Sequence, residues 1–262
     1  MHARYCLLSS LLLLSIFAQP SYAAISQSLY FDQEGNPLSE GPAAVPSDSS
    51  RTSLYSIPPG VVLRRGIIYE YYPVNGKSFS EIVTSVQENG PYIAVAKRRV
   101  PTRMKWRFGI SYEYDFTSVL DEEETAVHVS LEVKNIKVTY GISVTLPSLI
   151  DNTSLNPIER NLWKNLFLRL LEHEYDHVDI IEDSATAEET KKSLTEINYL
   201  IFDYSDGLDI DNTIGAFLKD EAARNAKEMS GHIRERLNEY DRLTDFGNKH
   251  SLRDSFFRPE KR

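Results

Sequence analysis

Alternating apolar and polar positions between residues 61 and 150 predict a β-rich region. The stretch 61–73 is dense in Val, Ile and Tyr and ends at the turn signal Asn75-Gly76. Residues 104–116 and 125–146 then alternate apolar and polar side chains, as strands with one buried face do. Residues 78–89 instead have apolar residues at helical spacing, so one helix is expected among these strands.

After Pro147 the apolar spacing changes from that of strands to that of helices. Asn156-Pro157-Ile158-Glu159 predicts a helix start, because Asn caps, Pro fits the first turn and Glu follows three residues after the cap. We expect a first helix to about Ala187, a second over about 190–202 and a third over about 213–243.

This order of elements predicts an α+β fold in a single domain spanning 61–247. An N-terminal, mostly antiparallel β-sheet region (61–150) would pack on a C-terminal helical region (151–247). A chain of 262 residues is long enough to bury one substantial core of this kind.

The two ends of the chain differ in composition from its middle. Residues 1–23 combine a basic start, a short apolar run and two small residues, Ser21 and Ala23, placed two apart, the pattern of a cleaved secretory signal peptide. We expect a periplasmic or secreted bacterial envelope protein without stable membrane insertion after cleavage; an uncleaved N-terminal anchor is the alternative. Residues 24–60 are expected to form a Pro/Ser-rich linker, and 248–262 a charged tail.

The charge and cysteine content limit the partners and the metal ligands that the chain can have. The net charge of -9 disfavours a nucleic-acid partner, because phosphate backbones require a basic surface. The one cysteine, Cys6, lies inside the expected signal peptide, so a mature chain has no thiolate ligands. A metal site must then be built from His and carboxylate groups.

His173-Glu174-Tyr175-Asp176-His177 is the segment that predicts chemistry. Two histidines four residues apart lie on one helix face and can bind one zinc ion, while the adjacent Glu174 acts as general base on a zinc-bound water. All three fall on the apolar stripe of the helix, which includes Trp163, whereas Asp176 is expected to point outward. The alternative is a pair of satisfied core histidines with Glu174 paired to an Arg.

The chain resembles the bacterial DUF922 family, described as predicted secreted zinc-dependent proteases. The resemblance runs from about Ile68 to Gly247 and is carried by short blocks in a fixed order. These blocks are the Tyr-rich strand with Gly76, Gly90-Pro91, Thr102 with Trp106, 144–147, Trp163, 171–177 and 240–247. The resemblance implies a metallopeptidase-like protein.

A catalytic zinc ion usually has three protein ligands, and the motif supplies two of them. Asp241, Asp245 and His250 are candidates for the third, and Asp241 is preferred because it matches the family block. Phe246 departs from the family pattern, which has His at this position; if that His binds zinc in the family, the present chain has lost a ligand. Tyr240 is either an oxyanion donor or an ordinary packed aromatic.

The leading hypothesis is therefore an exported zinc-dependent hydrolase, in the first place a peptidase acting on a peptide or protein of unknown sequence. His173, His177 and Asp241 would bind Zn²⁺, and Glu174 would be catalytic. The alternative is a non-catalytic envelope binding protein on the same scaffold, with its zinc structural or lost. Hydrolysis of another amide, such as one in peptidoglycan, is a third possibility.

Overall fold

The computed structural model describes residues 25–39, 57–94, 97–151, 153–247 and 249–257. The expected signal peptide (1–23) and much of the expected linker (40–56) lie outside these residues. Among the described residues, no helix has the length and apolar character that a membrane crossing requires.

A long antiparallel hairpin forms the centre of the sheet. It consists of β6 (Arg103–Leu120) and β7 (Ala126–Leu149), which pair along nearly their whole length. Successive side chains of a strand point to opposite faces, so every second residue of β6 from Phe108 to Tyr114 is buried. Asp121 accepts hydrogen bonds from the backbone of Thr125 and Ala126 and closes the turn.

The remaining strands extend this hairpin on both sides, in the order β2-β1-β6-β7-β3. On one side, β1 (Ile25–Phe31) pairs with β6, and β2 (Pro37–Leu38) pairs with β1. On the other side, β3 (Ile67–Val74) runs parallel to the C-terminal half of β7. β8 (Tyr199–Asp203) pairs antiparallel with the N-terminal end of β7.

Five α-helices accompany the sheet in the described part of the chain. They are α1 (Phe79–Asn89), α2 (Pro157–Ile181), α3 (Ser184–Thr195), α4 (Ile210–Thr244) and the short α5 (Arg253–Phe257), which follows a 3-10 turn at His250–Leu252. A separate small hairpin joins β4 (Tyr92–Ile93) to β5 (Arg98–Arg99). Helices α2 and α3 both contact β7, and α4 contacts β1. The α+β class expected from the sequence is confirmed, and the sheet is mixed because β3 is parallel to β7.

The expectation of a linker over 24–60 is wrong for its first part. Residues Ile25–Phe31 form a full strand of the main sheet, and the Phe31 ring is 1% exposed and stacked on Phe108 at 5.4 Å. The turn after β1 also packs tightly, since a Cβ on Gly35 would lie 2.8 Å from the Cα of Lys227 on α4. Turn-forming residues around this short strand hid its alternating pattern.

The helix boundaries between 181 and 203 also differ from expectation. α2 ends at Ile181 and α3 begins at Ser184, because the Asp183 side chain accepts from Ala185 N–H and caps a new helix. The second helix ends at Thr195, and Tyr199–Asp203 is a strand rather than helix. This aromatic and β-branched segment pairs with β7, so tertiary pairing determines its conformation.

The expected charged tail is structured over its described part. Residues 249–257 form the 3-10 turn and α5, and α5 contacts α4. Arg253 makes an ion pair with Asp176 of α2, which ties this segment to the helix that carries the His-Glu motif.

Candidate metal centre

The sequence sets the start of α2 and the face that the helix buries. Asn156 accepts from Glu159 N–H while the Glu159 side chain accepts from Asn156 N–H, a capping box that fixes the first turn. From there the helix runs without interruption to Ile181. As far as Glu174 its buried residues recur at three- and four-residue intervals and lie on one face: Trp163, Phe167, Leu171 and Glu174. Beyond Glu174 the helix is buried on more than one face, by Asp176, Val178, Ile180 and Ile181.

His173 and His177 converge on one carboxylate oxygen of α4. The Oδ1 atom of Asp241 lies 2.8 Å from Nε2 of His177 and 3.3 Å from Nε2 of His173. The two imidazole ring centroids are 4.3 Å apart. Among the described residues, these three form the one group of His, Cys, Asp or Glu side chains whose ligand atoms lie within 4.8 Å of one another.

Mutual hydrogen bonding controls the protonation of this group. Burial alone would lower the pKa of His177, but the hydrogen bond to Asp241 and the negative charges of Asp241 and Glu174 outweigh burial and raise the pKa to about 9. Burial would likewise raise the pKa of Asp241, but the two histidines hold it well below its usual range. Without a cation, the site therefore holds a proton on His177 against an ionised Asp241.

Glu174 is enclosed beside the two histidines and is 2% exposed. Its Oε1 atom accepts a short hydrogen bond from the hydroxyl of Thr102, the residue immediately before β6. Its Oε2 atom lacks a hydrogen-bond donor and lies 3.6 Å from Nδ1 of His177, too far for a hydrogen bond. The sequence marked Thr102 as part of a family block, but no sequence signal connected it with Glu174, 72 positions away.

Asp176 is placed differently from expectation. It was expected to point outward but is 1% exposed, and it accepts hydrogen bonds from the Tyr240 hydroxyl and from Arg253. A single apolar stripe does not describe α2, because α4 and the C-terminal segment cover the side of the helix that faces away from the sheet. The Tyr240 hydroxyl is bound to Asp176 and the ring is packed, so of the two roles considered for Tyr240 the packed one fits its contacts.

The residues after Asp241 border the opening of the site. Asp245 is exposed and ends α4 in a left-handed conformation, so it does not join Asp241. Phe246 is 56% exposed, its N–H donates to the Asp241 carbonyl, and the Arg98 guanidinium lies 4.8 Å from its ring centroid. Gly247 lies against His173, because a Cβ there would be 3.2 Å from Nδ1. The side chain of His250 lies outside the described part of the structure.

Tyr175, the third residue of the motif, fixes α2 against β3. Its hydroxyl lies 2.9 Å from that of Tyr69 and accepts from Arg64 N–H. The Arg64 guanidinium stacks on the Tyr175 ring and pairs with Asp179 of the next turn. These contacts hold the motif from the side opposite α4.

His128 of β7 is a further histidine of the chain and has a separate partner. Its Nδ1 atom is hydrogen-bonded to the Tyr199 hydroxyl of β8.

Comparison with known proteins matches the chain to a family model. The sequence profile of a family described as "Bacterial protein of unknown function (DUF922)" matches residues 69–248. The matched range includes α2, Thr102 and Asp241, whereas β1, β2 and the segment 249–257 lie outside it. No curated protein and no solved structure matches the chain significantly.

Proposed function

The chain belongs to the DUF922 family, and on that premise we propose that it is an exported zinc-dependent hydrolase, in the first place a peptidase. The observation that carries the proposal is the convergence of His173, His177 and Asp241 beside the buried carboxylate of Glu174. These are the same residues that the helical motif and the family block nominated from sequence.

The residues present fit a zinc ion. Two imidazoles and one carboxylate are a donor set found in catalytic zinc sites, which keep a further position open. Both histidines direct Nε2 at the same Asp241 oxygen, so three donor atoms face one point. Two core histidines with no metal-binding role would each be expected to have a separate partner, yet Nε2 of both lies against the same Asp241 oxygen.

Zinc bound by this set would supply Lewis acidity toward a carbonyl oxygen and would lower the pKa of a water molecule. Glu174 is the proton acceptor, because Oε2 has no donor while Thr102 holds Oε1 and fixes the carboxylate orientation. Asp241 is 24% exposed, more than either histidine, so a substrate approaches from the Asp241 side. Phe246, whose N–H donates to the Asp241 carbonyl, has its exposed ring beside the Arg98 guanidinium.

Metal content and substrate cleavage test the proposal separately. The mature protein is purified, loaded with zinc, analysed for metal and incubated with a pool of peptides whose new termini are identified by mass spectrometry. We expect one zinc ion per chain and cleavage that Glu174→Gln abolishes while keeping the zinc. Glu235→Gln, the same substitution at an exposed position of α4, should behave as wild type. A wild-type chain that takes up no stoichiometric zinc would refute the proposal.

One observation favours the second candidate, a non-catalytic envelope binding protein with a structural zinc. Glu174 is 2% exposed, and a proton acceptor must reach the reacting water. Stoichiometric zinc without cleavage of any peptide would support this candidate. A parallel incubation with peptidoglycan fragments distinguishes both from an amidase acting on the cell wall.

Export is a further part of the proposal and is supported by the composition of residues 1–23. Expression of the full chain in a bacterium, followed by fractionation and N-terminal sequencing, tests it. We expect the protein in the periplasm or the medium with its N-terminus at about residue 24. Recovery of the intact chain from the cytoplasm would contradict export.

A further inference from the structure

A buried carboxylate lies inside the metal-binding motif, and its cationic partner comes from the last described segment of the chain. Asp176 lies between His173 and His177 in sequence and is 1% exposed. The Arg253 side chain donates from Nε to both Asp176 oxygens, at 2.6 and 2.7 Å, and from Nη2 to Oδ1 at 2.5 Å. Such a forked arrangement constrains direction as well as distance.

The same carboxylate fixes the aromatic ring that backs the site. The Tyr240 hydroxyl donates to Oδ2 of Asp176, and the Tyr240 ring stacks on His173 with centroids 5.4 Å apart. Phe256 and Phe257 of α5 contact the Tyr240 ring at 5.2 and 5.8 Å. The phenol ring is therefore held between the motif histidines and the C-terminal helix.

These contacts also determine where the third carboxylate lies. Tyr240 and Asp241 are consecutive residues of α4, so a displacement of the helix backbone at Tyr240 also moves the Asp241 carboxylate relative to both imidazoles. Loss of Arg253 would leave Asp176 buried without its cation, which is costly enough that neighbouring elements rearrange. The rearrangement would begin at Tyr240 and His173, because these are the groups that Asp176 and the C-terminal segment hold together.

We propose that Lys249–Phe257, which lies beyond the family match, is an obligatory part of the metal centre, and that Arg253 is a positioning residue. Arg253 acts through Asp176 and Tyr240 to hold His173 and Asp241 in the geometry of one ligand set. The proposal rests on the zinc site proposed above but not on catalysis. A protein that binds zinc without cleaving any peptide would leave it intact.

Zinc affinity by chelator competition and the visible spectrum of the cobalt-substituted protein test this role. Arg253→Gln should weaken zinc binding about 10- to 100-fold, the range seen when groups that orient metal ligands are removed. At saturating cobalt its spectrum should also differ from that of wild type, because the ligands adopt another geometry; lowered overall stability alone would not change the spectrum. Arg242→Gln, at an exposed position in the last turn of α4, should match wild type in both measurements.

Two further variants keep the test decisive if Arg253→Gln folds poorly. The double variant Asp176→Asn, Arg253→Gln removes both charges and should recover most of the affinity, because the unpaired buried carboxylate is gone. Arg253→Lys keeps the charge but loses the fork, and should lie between wild type and Arg253→Gln. The proposal is overturned if folded Arg253→Gln or Arg253→Lys binds zinc as tightly as wild type and gives the wild-type cobalt spectrum. A wild-type chain that binds neither metal overturns both proposals.

Discussion

Replacing Asp241 by Asn removes one of the three proposed zinc ligands while keeping the side chain's shape. Structural sites with four protein ligands bind zinc with an apparent free energy of about 10–16 kcal/mol, so one ligand contributes about 3 kcal/mol to the binding free energy. A compensating effect follows from the pKa of His177, which Asp241 helps to raise to about 9. At pH 7, displacing that proton costs the wild-type protein about 2–3 kcal/mol, and a variant without Asp241 avoids much of this cost.

Because of these two effects, the loss of zinc affinity in the variant, relative to wild type, depends on pH. At pH 7 they nearly cancel, and the net loss is about 1 kcal/mol, or roughly fivefold in Kd. At pH 8.5 the proton cost in the wild type falls below about 1 kcal/mol, and the loss grows to roughly 100-fold. Wild-type affinity itself should rise about tenfold per pH unit between 7 and 8.5, because His177 is still deprotonating over that range.

Competition with a chelator of known zinc affinity, at pH 7.0 and 8.5, measures these constants. Asp245→Asn is the matched control, since Asp245 carries the same group four residues later but is exposed. An Asp241→Asn variant whose affinity equals that of Asp245→Asn at both pH values would refute Asp241 as a ligand. A constant wild-type affinity across the range would refute the account of His177.

Three other predictions concern individual contacts. Phe246→His should leave zinc affinity within about twofold of wild type, measured by the same competition, because Asp241 already completes the ligand set and Phe246 is exposed. Phe31→Ala should lower the free energy of unfolding in urea by about 3–5 kcal/mol, because the ring is fully buried in the main sheet; a loss near zero would place β1 outside the core. Thr102→Val should lower the free energy of unfolding in urea by about 1–3 kcal/mol, because it leaves Oε1 of Glu174 without its donor. It should also lower the rate of peptide cleavage more than it changes the zinc content.

Local signals predicted the elements whose ends are set by their own residues. The cap at Asn156 marks the start of α2 as expected, helical spacing over 78–89 marks α1, and the period of two marks β6 and β7. Elements held by distant partners were missed: β1 is short and lies among turn residues, and β8 was read as helix although it pairs with β7. In such segments pairing across the sheet outweighs local preference.

The same distinction applies to the site. Helical spacing alone brings His173, Glu174 and His177 to one face, so these could be chosen from the sequence. Asp241 is 64 residues from His177, and its selection depended on a family block rather than on spacing. The burial of Asp176 was not foreseen, because its partners Tyr240 and Arg253 lie 64 and 77 positions away.

The order of these residues along the chain also determines when the metal centre can form during biosynthesis. On the proposed route of export the chain crosses the membrane N-terminus first, so strands β1 to β7 arrive first and α2 with its two histidines next, whereas Asp241 and Arg253 arrive near the end. Because folding can begin from the N-terminus, the sheet can pair before the proposed ligand set exists. A partly exported chain would therefore hold two histidines without their carboxylate, and selective metal acquisition would wait until export is nearly complete.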